Sequence, residues 1–331
     1  MFSPVVRGHR ALVYVPNTDS NTVSVIDQAS MRVIDTFPAG HEPQHVVPSY
    51  DLRTLYVAAD YVPSTGGRGA GSLTPINPAT GKPGSPIPVD DPYNLYFTPD
   101  GRFAIVVAEA RGRLDFYDPH TWQRKNSLAV PSCAGVDHLD FSADGRTLLA
   151  SCEFADRLIA VDVAARTVLR TISLPRRADG MPQDVKLSPD GTVFYVADMM
   201  ANGVYLIDGA ATHVTGFLPT GRGAHGLYVD RSSRRLFVTN RGEGSIGVLD
   251  LATRGLIATW RLPGRASPDM GNLSADGTVF WLSGRYDQAV YAISTVDGHL
   301  IKRIPVGAGP HGLCVWPQPG RYSLGHTGIL R

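Results

Sequence analysis

Short apolar runs, each about five residues long and closed by Gly, Asp or Asn, recur from one end of this chain to the other. One series reads VYVPN (13–17), LYVAA (55–59), AIVVA (104–108), LLASC (148–152), FYVAD (194–198), LFVTN (236–240) and FWLSG (280–284). A second series follows: VSVID (23–27), LTPIN (73–77), LDFYD (114–118), LIAVD (158–162), VYLID (204–208), IGVLD (246–250) and VYAIS (290–294). The runs are rich in β-branched and aromatic residues and too short and punctuated for helices, so they predict strands. A third run per repeat, as in VLRTISLP (168–175) or LIKRIPV (300–306), and a fourth, as in VKLS (185–188), bring each repeat to four strands.

Turn signals set the period. TPDG (98–101), SADG (142–145), SPDG (188–191) and SADG (274–277) end at Gly101, Gly145, Gly191 and Gly277, at intervals of 44, 46 and 86 residues, the last about twice the others. A degenerate copy, DRSS (230–233), fills the wide gap. Four strands repeated seven times predict an all-β, seven-bladed β-propeller of four-stranded antiparallel blades, which leaves few exposed sheet edges. The chain opens on a second strand and ends on an inner strand, HGLCV (311–315), with nothing after it to pair with. Pairing of the N-terminal strand (about 11–17) with the C-terminal strand (about 311–316) is therefore expected to close the ring. The expected organisation is one propeller domain over 1–331, with 321–331 as a C-terminal tail lying outside the repeats.

At these residues the chain resembles the YVTN-repeat, or YncE-like, propellers. The likeness rests on YVPN…VSVID, SPDGTVFYVAD…VYLID, RLFVTN…IGVLD and VGAGPHGLCV, and it covers nearly the whole sequence. It implies the fold. A YncE-like protein has been associated with single-stranded DNA binding. Related propellers include lactonases, a magnesium-dependent lyase and a copper-cluster reductase, and fold alone selects none of these.

Composition narrows the partners. With 31 basic and 30 acidic residues the formal net charge is +1, which provides no global field for nucleic acid or an acidic membrane. No apolar run approaches the length of a membrane span. The N-terminus has no long apolar core of a signal peptide, so the sequence reads as cytoplasmic, or as exported if a leader has been removed. Three cysteines, Cys133, Cys152 and Cys314, are too few for a disulfide framework. A Cys133–Cys152 bridge, a pair of quiet thiols and a Cys133–His138 nucleophile all remain open.

Strand order assigns loops to two ends of the propeller. The PDG turns belong to the bottom; the loops after the second strands and those entering the inner strands belong to the top. His41, His45, His138, His225 and His311 map to the top, whereas His120, His213 and His299 map to bottom turns. Gln44, Tyr93, Asn94, Asp137, Gln183, Asp184 and Met270 share the inner-strand entries. Such imidazoles and carboxylates suit Zn, Cu, Fe or Mn, with His45, His138, His225 and His311 as candidate ligands. They would equally polarise a substrate or shuttle its proton. Phasing places His45 and His138 in one column and His225 and His311 one residue earlier. Neighbouring strand residues face opposite ways, so plain hydrogen bonding competes with metal binding for all four.

The residues just after the second strands are Thr18, Asp60, Glu109, Glu153, Met199, Arg241 and Arg285. Three carboxylates on successive blades face two arginines across the ring, a polarised mouth suited to a small polar or anionic molecule. Glu109, Glu153, His138 and Asp184 are the candidate catalytic groups. Arg241, Arg285, Tyr93, Gln44, Gln183 and Asp137 are the candidate substrate contacts. The Gly-rich segment 60–75 reads as a lid or a disordered insertion and lacks the Lys-Ser/Thr of a phosphate loop. Without GxSxG the nucleophile-elbow hydrolases drop out. The expected function is a His-centred, metal-dependent or metal-free, lyase, hydrolase or isomerase/cyclase. The alternatives are a non-catalytic scaffold for protein or peptide and, with the weakest support, a single-stranded DNA binder.

Overall fold

The computed structural model describes residues 1–61, 71–175, 179–326 and 329–331. Residues 62–70 of the candidate lid lie outside the described residues. The chain forms a seven-bladed β-propeller of antiparallel sheets, six of them four-stranded. In the remaining sheet the outer position is taken by two short pieces, Lys82–Pro83 and Ile87–Pro88, both paired with Ser72–Asn77. Prolines 83, 86 and 88 explain that break, since proline has no N–H for the ladder.

By packing, the chain divides into two compact units: Met1–Arg111 with Asp115–Asn126 and Met270–Arg331, and Gly112–Leu114 with Ser127–Asp269. In the first unit the chain ends complete one sheet. Cys314–Trp316 is the inner strand beside Leu12–Asn17, with Leu12 opposite Trp316 and Tyr14 opposite Cys314. Beyond that ladder, His311 N donates to Pro16 O at 3.0 Å and Thr18 N to Gly309 O at 3.0 Å. Tyr14, Val57, Ile76 and Trp316 share one core cluster there, each large apolar side chain contributing roughly 1.5–3 kcal/mol by leaving water.

Inner and second strands are mostly buried, and wholly so in Pro182–Leu187 and Val193–Asp198, whereas the outer strand Thr167–Ser173 is almost wholly exposed. Sheets covered on both faces need apolar residues at consecutive positions, which is why the runs in the sequence do not alternate.

The recurrent turn has a mechanical explanation. Ser142 Oγ donates to Asp144 Oδ1 at 2.7 Å and accepts from Thr147 N at 3.0 Å. Ser188 with Asp190, Ser274 with Asp276 and Thr98 with Asp100 repeat the lock. In the degenerate copy Asp230 takes the serine's place and accepts from the N–H groups of Arg234 and Arg235. A further copy, Ser49 with Asp51, escapes the motif because Leu52 occupies the glycine position at φ 62.

The C-terminal tail, for which the repeats offer no role, packs within the first unit. Phe97 N donates to Leu324 O at 2.9 Å and Ser323 N to Tyr50 O at 3.1 Å. Gly325 bridges to Tyr96, and Tyr50 stacks on Tyr322.

Candidate functional site

Where candidate residues enter the inner strands, the strands bulge. The ladder skips between Val136 and Leu139, between Pro182 and Val185, and between Ala224 and Leu227. Each skip sets an extra residue against the second strand and re-aims the side chains there. At the first and third of these skips a small hydroxyl on the second strand takes up freed backbone groups of the inner strand. Ser151 Oγ accepts from His138 N and donates to His138 O, both at 3.1 Å, and Thr239 Oγ1 accepts from Gly226 N at 2.7 Å. The Ser and Thr inside otherwise apolar runs, LLASC and LFVTN, were the signal for those two bulges.

In the first unit a chain of hydrogen bonds joins three residues of the second-strand column. Arg285 Nη1 donates to Thr18 Oγ1 at 2.9 Å and to Gly309 O at 3.1 Å. Thr18 Oγ1 lies 3.0 Å from Pro43 O and 3.4 Å from Gln44 Oε1. Gln44 Nε2 in turn donates to Asp60 Oδ1 at 3.2 Å. Asp60 is half-buried, and desolvation lifts its carboxyl to about 7; the Gln44 hydrogen bond opposes the rise, while Asp91 and Glu42 add to it. Asp60 stood in the predicted column but not among the predicted catalytic groups; only its burial singles it out.

Beside this chain the unit holds a cluster of aromatic nitrogen rings. His45, wholly buried, donates from Nδ1 to Tyr93 O at 2.8 Å. Its ring centroid lies 4.8 Å from that of His311 and 4.1 Å from that of His326, and Tyr93 meets it edge-on at 5.0 Å. Burial, with Arg285 as a lesser cause, holds the His45 imidazole down to about 3, so it is neutral at physiological pH. The structure thus brings together Gln44, His45, Tyr93, Arg285 and His311 from the predicted set. It adds His326 from the tail, which no repeat register could have placed. Glu109, also in this unit, is half-buried just past Ala104–Ala108.

The second unit arranges its candidates around carboxylates. Asp269 Oδ1 lies 3.1 Å from His225 Nδ1 and 3.1 Å from Arg241 Nη1, and Arg241 Nη2 reaches Met199 Sδ at 2.9 Å. Arg241 is therefore already neutralised inside the unit, which weakens its expected role as an anion contact. Asp269 was passed over at the PDMGN entry in favour of Met270. His138 Nε2 sits 3.3 Å from Asp137 Oδ1, both fully buried. Asp184 accepts from Leu227 N at 2.9 Å, and burial lifts its carboxyl to about 7. Gln183 donates to Met181 O at 3.3 Å, and half-buried Glu153 is tied by its backbone N–H to Gly135 O at 2.7 Å.

Cys133 and Cys152 form a disulfide with a Cα–Cα separation of 4.8 Å. Of the three readings of this pair the bridge holds, and the Cys133–His138 nucleophile is withdrawn, because a bridged sulfur carries no thiolate. Open cavities are found at the turn ends: one of about 490 Å³ in the first unit, lined by Tyr50, Arg53, Tyr56 and His120, and one of about 350 Å³ in the second, lined by Tyr195, Arg234 and Arg254. The carboxylates Asp51, Asp100 and Asp190 beside them are engaged in the turn locks described above.

No curated protein sequence matches this chain. Among solved structures, similar folds include a periplasmic gluconolactonase from Pseudomonas aeruginosa, at 18% identity over 93% of this chain and 99% of that one, with a TM-score of 0.74. A functionally unknown protein from Desulfotomaculum acetoxidans aligns at 13% identity over 93% and 100% of the two chains, with a TM-score of 0.75. Virginiamycin B lyase from Staphylococcus aureus aligns at 16% identity over 83% and 88%, with a TM-score of 0.65. These identities speak for fold alone. The family model of YNCE-like beta-propellers matches residues 70–320. The chain belongs to the YNCE-like β-propeller family.

Proposed function

We propose that the protein is an enzyme acting on a small polar or anionic molecule at the loop end of the first unit, with Asp60 moving the proton and Arg285 contacting the substrate's anionic or carbonyl oxygen. The observation that carries this reading is the half-buried Asp60 carboxyl, lifted to about 7 and linked through Gln44 and Thr18 to Arg285. A general acid–base group works best when its proton affinity lies near the working pH. The guanidinium of Arg285 is held by two neutral oxygens and so keeps its charge for an incoming group.

A gluconolactonase among the similar structures makes lactones the first substrates to test. In lactone opening, Asp60 as carboxylate would take a proton from water while the water oxygen attacks the carbonyl carbon. The ring C–O bond then breaks, and the leaving oxygen takes the proton back. The Cys133–Cys152 bridge supports maturation in an oxidising compartment, where disulfides persist, over the cytoplasmic reading.

The test is a pH-stat assay of a lactone panel with wild type and Asp60→Asn. Expected is a loss in kcat/KM of about 10²–10⁴-fold, with the rate limb near neutral pH removed. Lactone turnover that survives Asp60→Asn with an unchanged pH profile would remove Asp60 from the reaction. Turnover of no lactone would remove that substrate class.

A further inference from the structure

We propose that the cavity at the turn end of the second unit binds a zwitterionic small molecule of the α-amino-acid type, its carboxylate held by Arg234, Arg254 and Tyr195 and its ammonium by Asp190 and Asp250. The proposal is independent of the Asp60 reading, because the cavity is lined wholly from residues 188–254 and its test measures binding rather than turnover.

Three turns deliver the polar groups. In the turn that starts at Ser188, Thr192 Oγ1 donates to Asp190 Oδ1 at 2.9 Å. Arg234 leaves the degenerate turn, where its N–H donates to Asp230 Oδ1 and its carbonyl accepts from Leu251 N, both at 2.9 Å. Arg254 follows a turn in which Thr253 donates to Asp250 Oδ1, from N at 2.7 Å and from Oγ1 at 2.9 Å. The backbone at each root is thereby fixed, so the groups are placed before a ligand arrives.

The charges suit a ligand of both signs. Among the described residues neither guanidinium is in an ion pair, whereas neighbouring Arg235 is bound to Asp230 at 3.0 Å. Arg254 Nη2 makes one long bond, 3.4 Å, to Thr192 Oγ1, and the rest of its fork matches a carboxylate. That single hydroxyl stands between the guanidinium and Asp190. The Ser188 hydroxyl holds the Asp190 carboxyl, and the Thr253 N–H holds the Asp250 carboxyl, below the ordinary range, so both are ionised at neutral pH. Asp190 takes its turn donors on Oδ1, which leaves Oδ2 to accept from a ligand. A ligand of one sign would meet two like charges here; a zwitterion meets a partner for each of its ends.

Tyr195 points to an occupant independently of the charges. Its ring packs with Val193 and Leu249 in the core and the residue is 2% exposed, but its hydroxyl makes no hydrogen bond among the described residues. Burial lifts the phenol above its ordinary range, with Arg254 opposing the rise and Asp190 adding to it. The hydroxyl is therefore a protonated donor set among the charges of the cavity. Buried tyrosine hydroxyls ordinarily find a partner, and a ligand carboxylate supplies one. The volume of about 350 Å³ lies in the range of small-molecule sites. Pro189, Val193 and Leu251 add an apolar wall for a hydrocarbon side chain.

The experiment titrates full-length protein with leucine, N-acetylleucine and leucinamide by calorimetry. Leucine is expected to bind, and the two derivatives, each lacking one charge, to bind at least about 10-fold more weakly. Arg254→Gln and Tyr195→Phe should each weaken leucine binding by roughly 10-fold with the melting temperature of the free protein unchanged. The derivative series uses wild type alone, so it decides the proposal even where a variant fails to fold. Absence of leucine binding in the millimolar range, a derivative that binds as well as leucine, or binding unaffected in both folded variants would overturn it.

Discussion

The backbone N–H of Leu227 donates to the carboxylate of Asp184 at 2.9 Å, across 43 residues of sequence. One blade earlier Leu187 N donates to Asp140 Oδ2 at 2.7 Å. In the second unit, inner-strand carboxylates therefore staple one blade to the next, and Asp184 has a structural duty whatever else it does.

That staple predicts a pH dependence. Burial raises Asp184 to about 7, with Asp140 reinforcing the rise and Lys186 opposing it. A carboxyl raised above its unfolded value of about 3.9 penalises the fold once ionised. Its contribution is most favourable below the unfolded pKa and is lost as pH climbs to about 7. Asp184→Asn keeps an acceptor for Leu227 and cannot ionise. Its stability relative to wild type should improve between pH 5 and pH 8, by on the order of 1–4 kcal/mol in chemical denaturation. A difference that stays constant over that range would uncouple this ionisation from folding.

The disulfide predicts a redox-dependent melting point. Cys133 and Cys152 are 19 residues apart and tie the approach to one inner strand to the end of its neighbour. Loops of this size contribute about 3 kcal/mol when closed. The Cys133→Ser/Cys152→Ser double variant should melt lower than the oxidised protein and match the protein under reductant. Equal melting of oxidised and reduced protein would show that the bridge adds nothing.

Two truncations separate the closing strand from the tail. Removing 319–331 takes away His326 and the Leu324 and Ser323 bonds but leaves Cys314–Trp316 paired with Leu12–Tyr14. Removing 309–331 also bares the edge of Leu12–Asn17, and exposed edges promote association. The shorter deletion should lower the melting temperature and stay monodisperse in light scattering; the longer one should aggregate. Two soluble products with the same melting point would contradict the role given to the closing strand.

Gly271 offers a steric test in the first unit. A methyl there would overlap the carbonyl oxygen of Trp281 on the next strand, and backbone cannot yield as a flexible side chain can. Gly271→Ala should cost about 2–4 kcal/mol, read as a shifted denaturation midpoint. Gly112→Ala, at a positive φ of 61° but with open space around it, should cost less.

Much of the fold was legible because its rules are local. Run length, β-branching and the Ser/Thr–Asp turn locks act within a few residues, so period, strand order and the joining of the ends could be read from the chain. The Ser49–Leu52 turn escaped because its lock is a hydrogen-bond pattern that tolerates a non-glycine at φ 62. The histidine positions were legible as strand entries, but their partners were not. Bulges at Val136–Leu139, Pro182–Val185 and Ala224–Leu227 re-aim side chains and break simple alternation.

The sequence alone determined the blades, their number and the pool of polar residues at the inner-strand entries, since each follows from propensity and period. Tertiary structure decided the rest. Asp60 became a group titrating at about 7 through burial, Arg241 was neutralised by Asp269, and His326 was carried back from the tail to lie 4.1 Å from His45. Desolvation and long-range proximity are properties of the packed chain, and no short stretch of residues encodes them by itself.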